Sequence, residues 1–399
     1  MGVVWASQGL SIMGFSFAFP FVPFFLQEDL GVTGQEALAM WVALFSFTAA
    51  LGMGVAAPGW GWLADRYGRR IMLIRANAAG AVCMSLMGFA GSPGTLIALR
   101  LVQGALTGTT TAAQAFLAGE MPEGRRGLAI GGLVAAVFAG SMAGSVLGGV
   151  TAERMGYRAS FWVSGLVLAA AALLIGVATR ERGFRRAEKK AGEGESGGWR
   201  RMPGSVWWAL GLIAGVSFVR QQDLPYLGLL VQDILGTVEG ASVWTGGLNA
   251  AGCVAGLVSG LTAGWLADRV RPGKMLLGGA LAAMVFGAAQ GLVHGFGTLF
   301  PVRFFTVLAA GFLEPTLNAM LAKRAPEEMQ GRVFGWASAT RSFGWALGPL
   351  LAGAVAAKWM RGVFFSAGIG YAVLALLTGW MMGAEGRRRR SGDGAGGQP

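Results

Sequence analysis

The sequence predicts an all-α integral membrane protein, with twelve transmembrane helices arranged as two homologous six-helix halves. Three observations predict it. Of 399 residues, 54% are apolar and only 13% are charged. Soluble domains carry about 25% charged residues, so lipid has to cover much of this surface. Apolar stretches close to the roughly 20 residues that a helix needs to cross the hydrocarbon layer recur along the whole chain. The chain also repeats itself, in order, at an offset of about 204 residues.

Where every helix face is apolar, periodicity carries little, and length and punctuation set the limits. The first half reads as spans at 3–26, 39–59, 71–90, 95–118, 127–150 and 159–179. The second half reads as 206–230, 243–265, 275–293, 299–321, 333–356 and 363–382. The first apolar stretch starts at once and lacks a basic flank, so it reads as a span and not as a cleaved leader. Residues 181–204 (ERGFRRAEKKAGEGESGGWRRMPG) are polar and Gly-rich and read as a flexible cytoplasmic linker. The lobes are therefore expected at 1–180 and 205–385, and 386–399 as a basic, disordered tail.

The net charge of +12 sits in short loops. Arg66, Arg69 and Arg70; Arg125 and Arg126; Arg269, Arg271 and Lys274; and Lys323, Arg324 and Arg332 fall on one side, with the linker and the tail. The other side offers Arg154, Arg158, Lys358 and Arg361, and a first loop bearing Glu28, Asp29 and Glu36. The positive-inside rule then places both termini in the cytoplasm of a cell (inner) membrane. Nucleic acid is not an expected partner, because no contiguous basic face exists. Cys83 and Cys253 lie within spans and read as small packing residues, not as a disulfide.

The repeat is specific. GWLAD at 61–65 recurs at 264–268, and MPEGRRG at 121–127 answers APEEMQG at 325–331. Gly140, Gly144 and Gly149 answer Gly344, Gly348 and Gly353; Pro20, Gln27 and Gly31 answer Pro225, Gln232 and Gly236; Arg100 answers Arg303. Six spans per repeat keep the halves parallel, related by an axis along the membrane normal. That is an architecture of two-lobed secondary transporters.

Three motifs make the chain resemble the major facilitator superfamily, and within it the twelve-span drug/proton antiporters of the multidrug efflux type. GWLADRYGRR, from Gly61 through Asp65, Arg66, Gly68 and Arg69 to Arg70, matches the superfamily signature between spans two and three at every defined position. The resemblance implies that this loop latches one lobe to the other and lets go during the cycle. Its second copy, with Asp268, is degraded by Pro272. Arg100, followed by Gln103 and Gly104 in span four, resembles the family's buried Arg associated with proton transfer; the alternative is an Arg that snorkels to water. Gly131, Gly140, Gly144, Gly148 and Gly149 in span five resemble the antiporter motif, with Ser145 where Pro is expected, while Gly348 and Pro349 in span eleven keep the Gly-Pro pair. Span eight carries Gly252, Gly256, Gly260 and Gly264 along one face. The family fold sets spans five and eight face to face, so two smooth glycine faces are expected to slide there; ordinary small-residue packing is compatible with the same pattern.

No GxxxxGK[ST] motif occurs, and neither a cofactor nor a metal is expected. No nucleophile–base arrangement stands out, so an enzyme is not expected. An ion gradient is the remaining power source, and one charge crossing 100 mV supplies about 2.3 kcal/mol, a roughly forty-fold gradient. Two acids inside spans qualify to carry the proton. Glu314 lies mid-span before Pro315, far in sequence from any base. Asp223 lies three residues after Arg220, so the two share a helix face and read as a pair. For either acid the alternative is a static polar contact. Arg341 in span eleven either neutralises an acid or an anionic substrate, or snorkels. His294, near a span end, is the weakest proton candidate.

Phe15 and Phe19 belong to a Phe-rich first span and either line a cavity between the lobes or face lipid. A cavity with few charges suits amphipathic molecules better than phosphates. The expectation is a monomeric, proton-coupled exporter of small amphipathic or drug-like molecules. Its rivals are a transporter of a specific metabolite, such as a sugar or carboxylate held by Arg220 and Arg341, and a non-transporting membrane receptor.

Overall fold

A computed structural model describes residues 1–120, 123–179, 204–267, 269–325 and 329–393. Among them the regular elements are all helical. Eight spans are continuous: α3 (Gln35–Tyr67), α4 (Arg69–Met87), α7 (Glu123–Met155), α8 (Tyr157–Ala178), α11 (Ala241–Ala267), α12 (Pro272–Gln290), α15 (Gln330–Lys358) and α16 (Gly362–Asp393). The other four are broken. Span one is α1 (Gly2–Ala18), a 3₁₀ turn (Phe19–Phe21) and α2 (Val22–Glu28). Span four is α5 (Pro93–Leu106) and α6 (Thr109–Glu120). Span seven is α9 (Gly204–Arg220), a 3₁₀ turn (Leu224–Tyr226) and α10 (Leu227–Leu235). Span ten is α13 (Phe296–Gly311) and α14 (Leu313–Arg324).

Each break has a local cause. Proline has no N–H and cannot bond the carbonyl four residues back. Pro20, Pro225 and Pro315 sit at the breaks of spans one, seven and ten. In span four the chain turns at Gly108, whose φ of 128° is open to glycine. The sequence reading treated these four spans as continuous. Among the described residues nine spans are long and apolar enough to cross a membrane by composition alone, and spans four, seven and eleven are not among them. The long helices also overrun expectation: α3 continues through Tyr67, and α16 runs to Asp393. Residues 386–393 are thus helical, not a disordered tail, which fits the helix propensity of the Arg run there. The linker, 181–203, lies outside the described residues.

Packing follows the repeat. In the first lobe α1 packs on α7, α3 on α5 and α4 on α8; in the second, α9 packs on α15, α11 on α13 and α12 on α16. The lobes meet mainly through α7 with α11 and α3 with α15, and also through α2 with α10. The C-terminal lobe has its own core, including Ile213, Leu276, Leu317 and Val333. An N-terminal core, with Phe25, Met84 and Phe161, extends across to Tyr226 and Ala352 of the other lobe.

The glycines of span five have a different partner from the one the sequence suggested. A side chain at Gly140, Gly144 or Gly148 would run into the backbone carbonyls of Gly9, Met13 and Phe17 on α1. Gly344 and Gly348 meet α9 in the same way, against Ala214 and Phe218. These ladders hold span one to span five, and span seven to span eleven, inside each lobe. Only Gly149 of the ladder reaches α11, at Ser242, while Gly256 meets the ring of Phe138 on α7. The lobe interface is therefore not two smooth glycine faces.

Candidate functional site

The two lobes close on each other at the side away from the termini. Gln27 and Gln232, matched residues of the repeat, exchange amide hydrogen bonds at 3.0 Å. Tyr226 donates its hydroxyl to the Ala39 carbonyl at 3.0 Å, and Gln35 donates to the Ala356 carbonyl at 2.6 Å. The Gly240 N–H bonds Glu153 at 2.8 Å. Toward the terminal side, Gly54, Gly59, Gly131, Gly260 and Gly335 on the interface helices have no neighbour within 4 Å of a side-chain position. The pattern, bonded on the far side and bare on the terminal side, fits a central vestibule open toward the termini.

The N-terminal wall is aromatic. Phe15 stacks on Phe19 with ring centres 5.7 Å apart. The Arg100 guanidinium lies 3.7 Å from the Phe19 ring centre and 4.4 Å from that of Phe45, and donates to Gln103 Oε1 at 2.7 Å. Arg100 is thus a caged cation, not a snorkelling one. Gly104 allows the cage, because a side chain there would strike the Ala49 backbone of α3.

The C-terminal wall is ionic, and here the sequence pairing is corrected. Arg220 does not pair with Asp223. It bonds Glu314 Oε2 at 3.1 Å. Glu314 is not isolated either: the Arg341 guanidinium forms an ion pair with its other oxygen, Oε1. Arg341 also donates to Asn318 at 3.4 Å. Asp223 instead pairs with Arg303, at 2.5 Å, and Gln290 Oε1 accepts from the same Nη1 at 3.4 Å. The reason is the break in span seven. An i, i+3 pairing needs an unbroken helix, and α9 ends at Arg220. Exposure separates the two clusters: the side chains of Glu314, Arg341 and Arg220 are 25%, 26% and 36% exposed, those of Arg303 and Asp223 only 7% and 10%.

In the signature loop, Gly68 (φ 93°) makes the tight turn from α3 to α4. Arg66 lies over Trp62 and Tyr67, and Arg70 donates to the Gly176 carbonyl at 2.5 Å, tying the loop to α8. Gly61 and Asp65 fall within α3; the surroundings of both, and Asp268, lie outside what the structure describes, and with them the latch that the resemblance implies. His294 is exposed.

Sequence reasoning missed two features that the repeat encoded. One is Arg303 as a partner for Asp223. The other is a matched clamp in each lobe. Arg158 bonds Asp29 at 2.9 Å and the carbonyls of Gly88 and Ala90. Arg361 pairs with Asp233 at 2.7 Å and bonds the carbonyls of Gly291 and Val293.

The sequence matches the Major Facilitator Superfamily over residues 4–289 and 248–398. The chain belongs to that superfamily. This superfamily member is 32% identical to the multidrug resistance protein MdtG of Citrobacter koseri, over 91% of its own length and 89% of the relative's. It is 31% identical to MdtG of Enterobacter lignolyticus, over 94% and 90%. Its fold resembles a bacterial homologue of the human lysosomal transporter Spinster in an inward-facing, occupied conformation, with a TM-score of 0.77 at 15% identity, covering 94% of both chains. It also resembles the nucleoside transporter NupG, with a TM-score of 0.79 at 11% identity, covering 95% and 98%. As in the superfamily, twelve helices form two lobes.

Proposed function

We propose that this protein is a multidrug efflux transporter that exports small amphipathic molecules by alternating access, in exchange for protons. The curated relatives, named as multidrug resistance proteins and matched along nearly the whole chain, support the drug-efflux reading. The single observation that carries proton coupling is Glu314, held between Arg220 and Arg341 at the edge of the vestibule. Taking up a proton removes the charge that holds both guanidiniums. One proton thereby loosens contacts that join α14 to α9 and to α15. The vestibule walls, Phe15, Phe19 and Phe45 on one side and charged groups on the other, offer an amphipathic molecule both an apolar surface and a polar one. The positive-inside distribution puts the open side in the cytoplasm, which makes the state described here the one that receives cargo from inside. The protein acts as a monomer in the cell membrane, with both termini cytoplasmic.

The test is a panel of lipophilic dyes, drugs, sugars and carboxylates, offered to proteoliposomes with an imposed pH gradient. Dyes and drugs are expected to accumulate and sugars to stay level. Accumulation of only one metabolite would overturn the multidrug reading. Glu314→Gln is expected to abolish gradient-driven accumulation while dye exchange without a gradient continues; accumulation at the native level would remove Glu314 from the coupling.

A further inference from the structure

We propose that Arg220 is a shared partner of two carboxylates, leaving Glu314 for Asp223 when Glu314 takes up its proton. The inference rests on the reading of Glu314 as the proton carrier and adds to it a second acid and a moving cation.

The geometry points to it in four steps. First, Arg220 is the last residue of α9, and Asp223 follows three residues later, inside the break and just before the 3₁₀ turn at Leu224–Tyr226. Residues that close along the chain stay within side-chain reach whatever the two half-helices do. Second, Glu314 stands in the first turn of α14, next to the break of span ten at Phe312. The Arg220–Glu314 bond therefore ties the terminal-side halves of the two broken spans together, while Asp223 and Arg303 tie span seven to the far-side half of span ten.

Third, the supply of partners is unequal. Glu314 has two guanidiniums and Asp223 has one. Arg303 bonds Oδ2 of Asp223, and Oδ1 accepts no hydrogen bond among the described residues. It keeps lone pairs for a second guanidinium. Fourth, the surroundings leave Arg220 no better landing place. The polar and titratable groups around this region include Gln222 in the break of span seven, Gln290 on α12, Arg303 on α13, Glu314 and Asn318 on α14, Arg341 on α15, and Ser366 and Tyr371 on α16. Among these, Asp223 and Glu314 are the carboxylates. Once Glu314 is neutral, Arg220, whose side chain is partly exposed, loses its anionic partner. Asp223 is the anion it can reach. Its departure frees α9 from α14 at the edge of the vestibule, while the buried Asp223–Arg303 pair keeps the far-side halves together. In this scheme Arg220 is a positioning residue.

The test is a double-mutant cycle run in two backgrounds, on the full-length protein in detergent or nanodiscs, with thermal unfolding as the readout. In the native background Arg220→Gln and Asp223→Asn should shift Tm additively, because the two residues have different partners. In the Glu314→Gln background, which imitates the protonated acid, the shifts should become non-additive by about 2 °C or more. Equal additivity in both backgrounds overturns the proposal, since a purely structural Arg220 gives the same coupling in each. If either variant fails to fold, Arg220→Lys and Asp223→Glu, which keep the charges and alter only reach, go through the same cycle with the same expected and contrary results. Failure of the underlying reading looks different: Glu314→Gln then drives dye accumulation like the native protein.

Discussion

Arg100 and Arg303 occupy matched positions in the two halves, and each brings a full charge into an apolar span. The N-terminal lobe settles it on rings, with Phe19 and Phe45 facing the guanidinium. The C-terminal lobe settles it on a carboxylate, Asp223. In spans one and seven the offset is 205, as Pro20 and Pro225 show, so Phe19 answers Leu224 and Asp223 answers Ala18. The matched arginines are thus settled by residues from different repeat positions, rings in one wall and a carboxylate in the other. The same fold supplies both, and the vestibule is asymmetric in chemistry while symmetric in backbone. Span one holds no acid before Glu28 at its far end, and the acids of the C-terminal wall are Asp223 and Glu314.

The largest effects should come from the features the lobes share. Gly144→Leu and its counterpart Gly348→Leu each drive a side chain into the backbone of a neighbouring helix, and both should prevent recovery of folded protein by size-exclusion chromatography. Gly260→Leu, which meets nothing within 4 Å, should be recovered normally. A normal yield for Gly144→Leu would break the symmetry of the packing argument.

Next in size is the buried pair. Asp223→Asn leaves Arg303 buried and unpaired and should destabilise the protein by about 3–5 kcal/mol. Asp223→Leu combined with Arg303→Met should cost less than Asp223→Asn alone. Thermal unfolding of the three variants decides the order. In the other lobe, Phe19→Ala removes a ring but strands no opposite charge, and its effect should be near 2 kcal/mol. If Phe19→Ala proves as damaging as Asp223→Asn, the two walls are not different in kind. The smallest effects belong to the clamps. Arg158→Gln and Arg361→Gln break partly exposed ion pairs, each worth about 1 kcal/mol or less, and their Tm shifts should match each other; a large inequality would show that the clamps are not equivalent.

Much of this arrangement was legible in the residues. Twelve spans, two halves, and the charged residues Arg100, Arg220, Asp223, Glu314 and Arg341 follow from hydropathy and from the rarity of charge inside membranes. Their partners were not legible, for a definite reason. Pairing by i, i+3 assumed that span seven is one helix, and Pro225 stands beside the break. Glu314 had no neighbour along the chain because its neighbours come from α9 and α15. The signal for Arg303, and for the clamps of Asp29 with Arg158 and Asp233 with Arg361, was present in the repeat: each residue has a counterpart at the same offset. Glycine ladders name a close contact but not the helix that makes it, so span five was matched with span eight although most of its ladder meets α1.

The most direct measurement of the central claim is proton release by the purified protein in weakly buffered detergent when a lipophilic dye such as ethidium is added. The account predicts release by the native protein and by Phe19→Ala, and none by Glu314→Gln. Undiminished release by Glu314→Gln would contradict it.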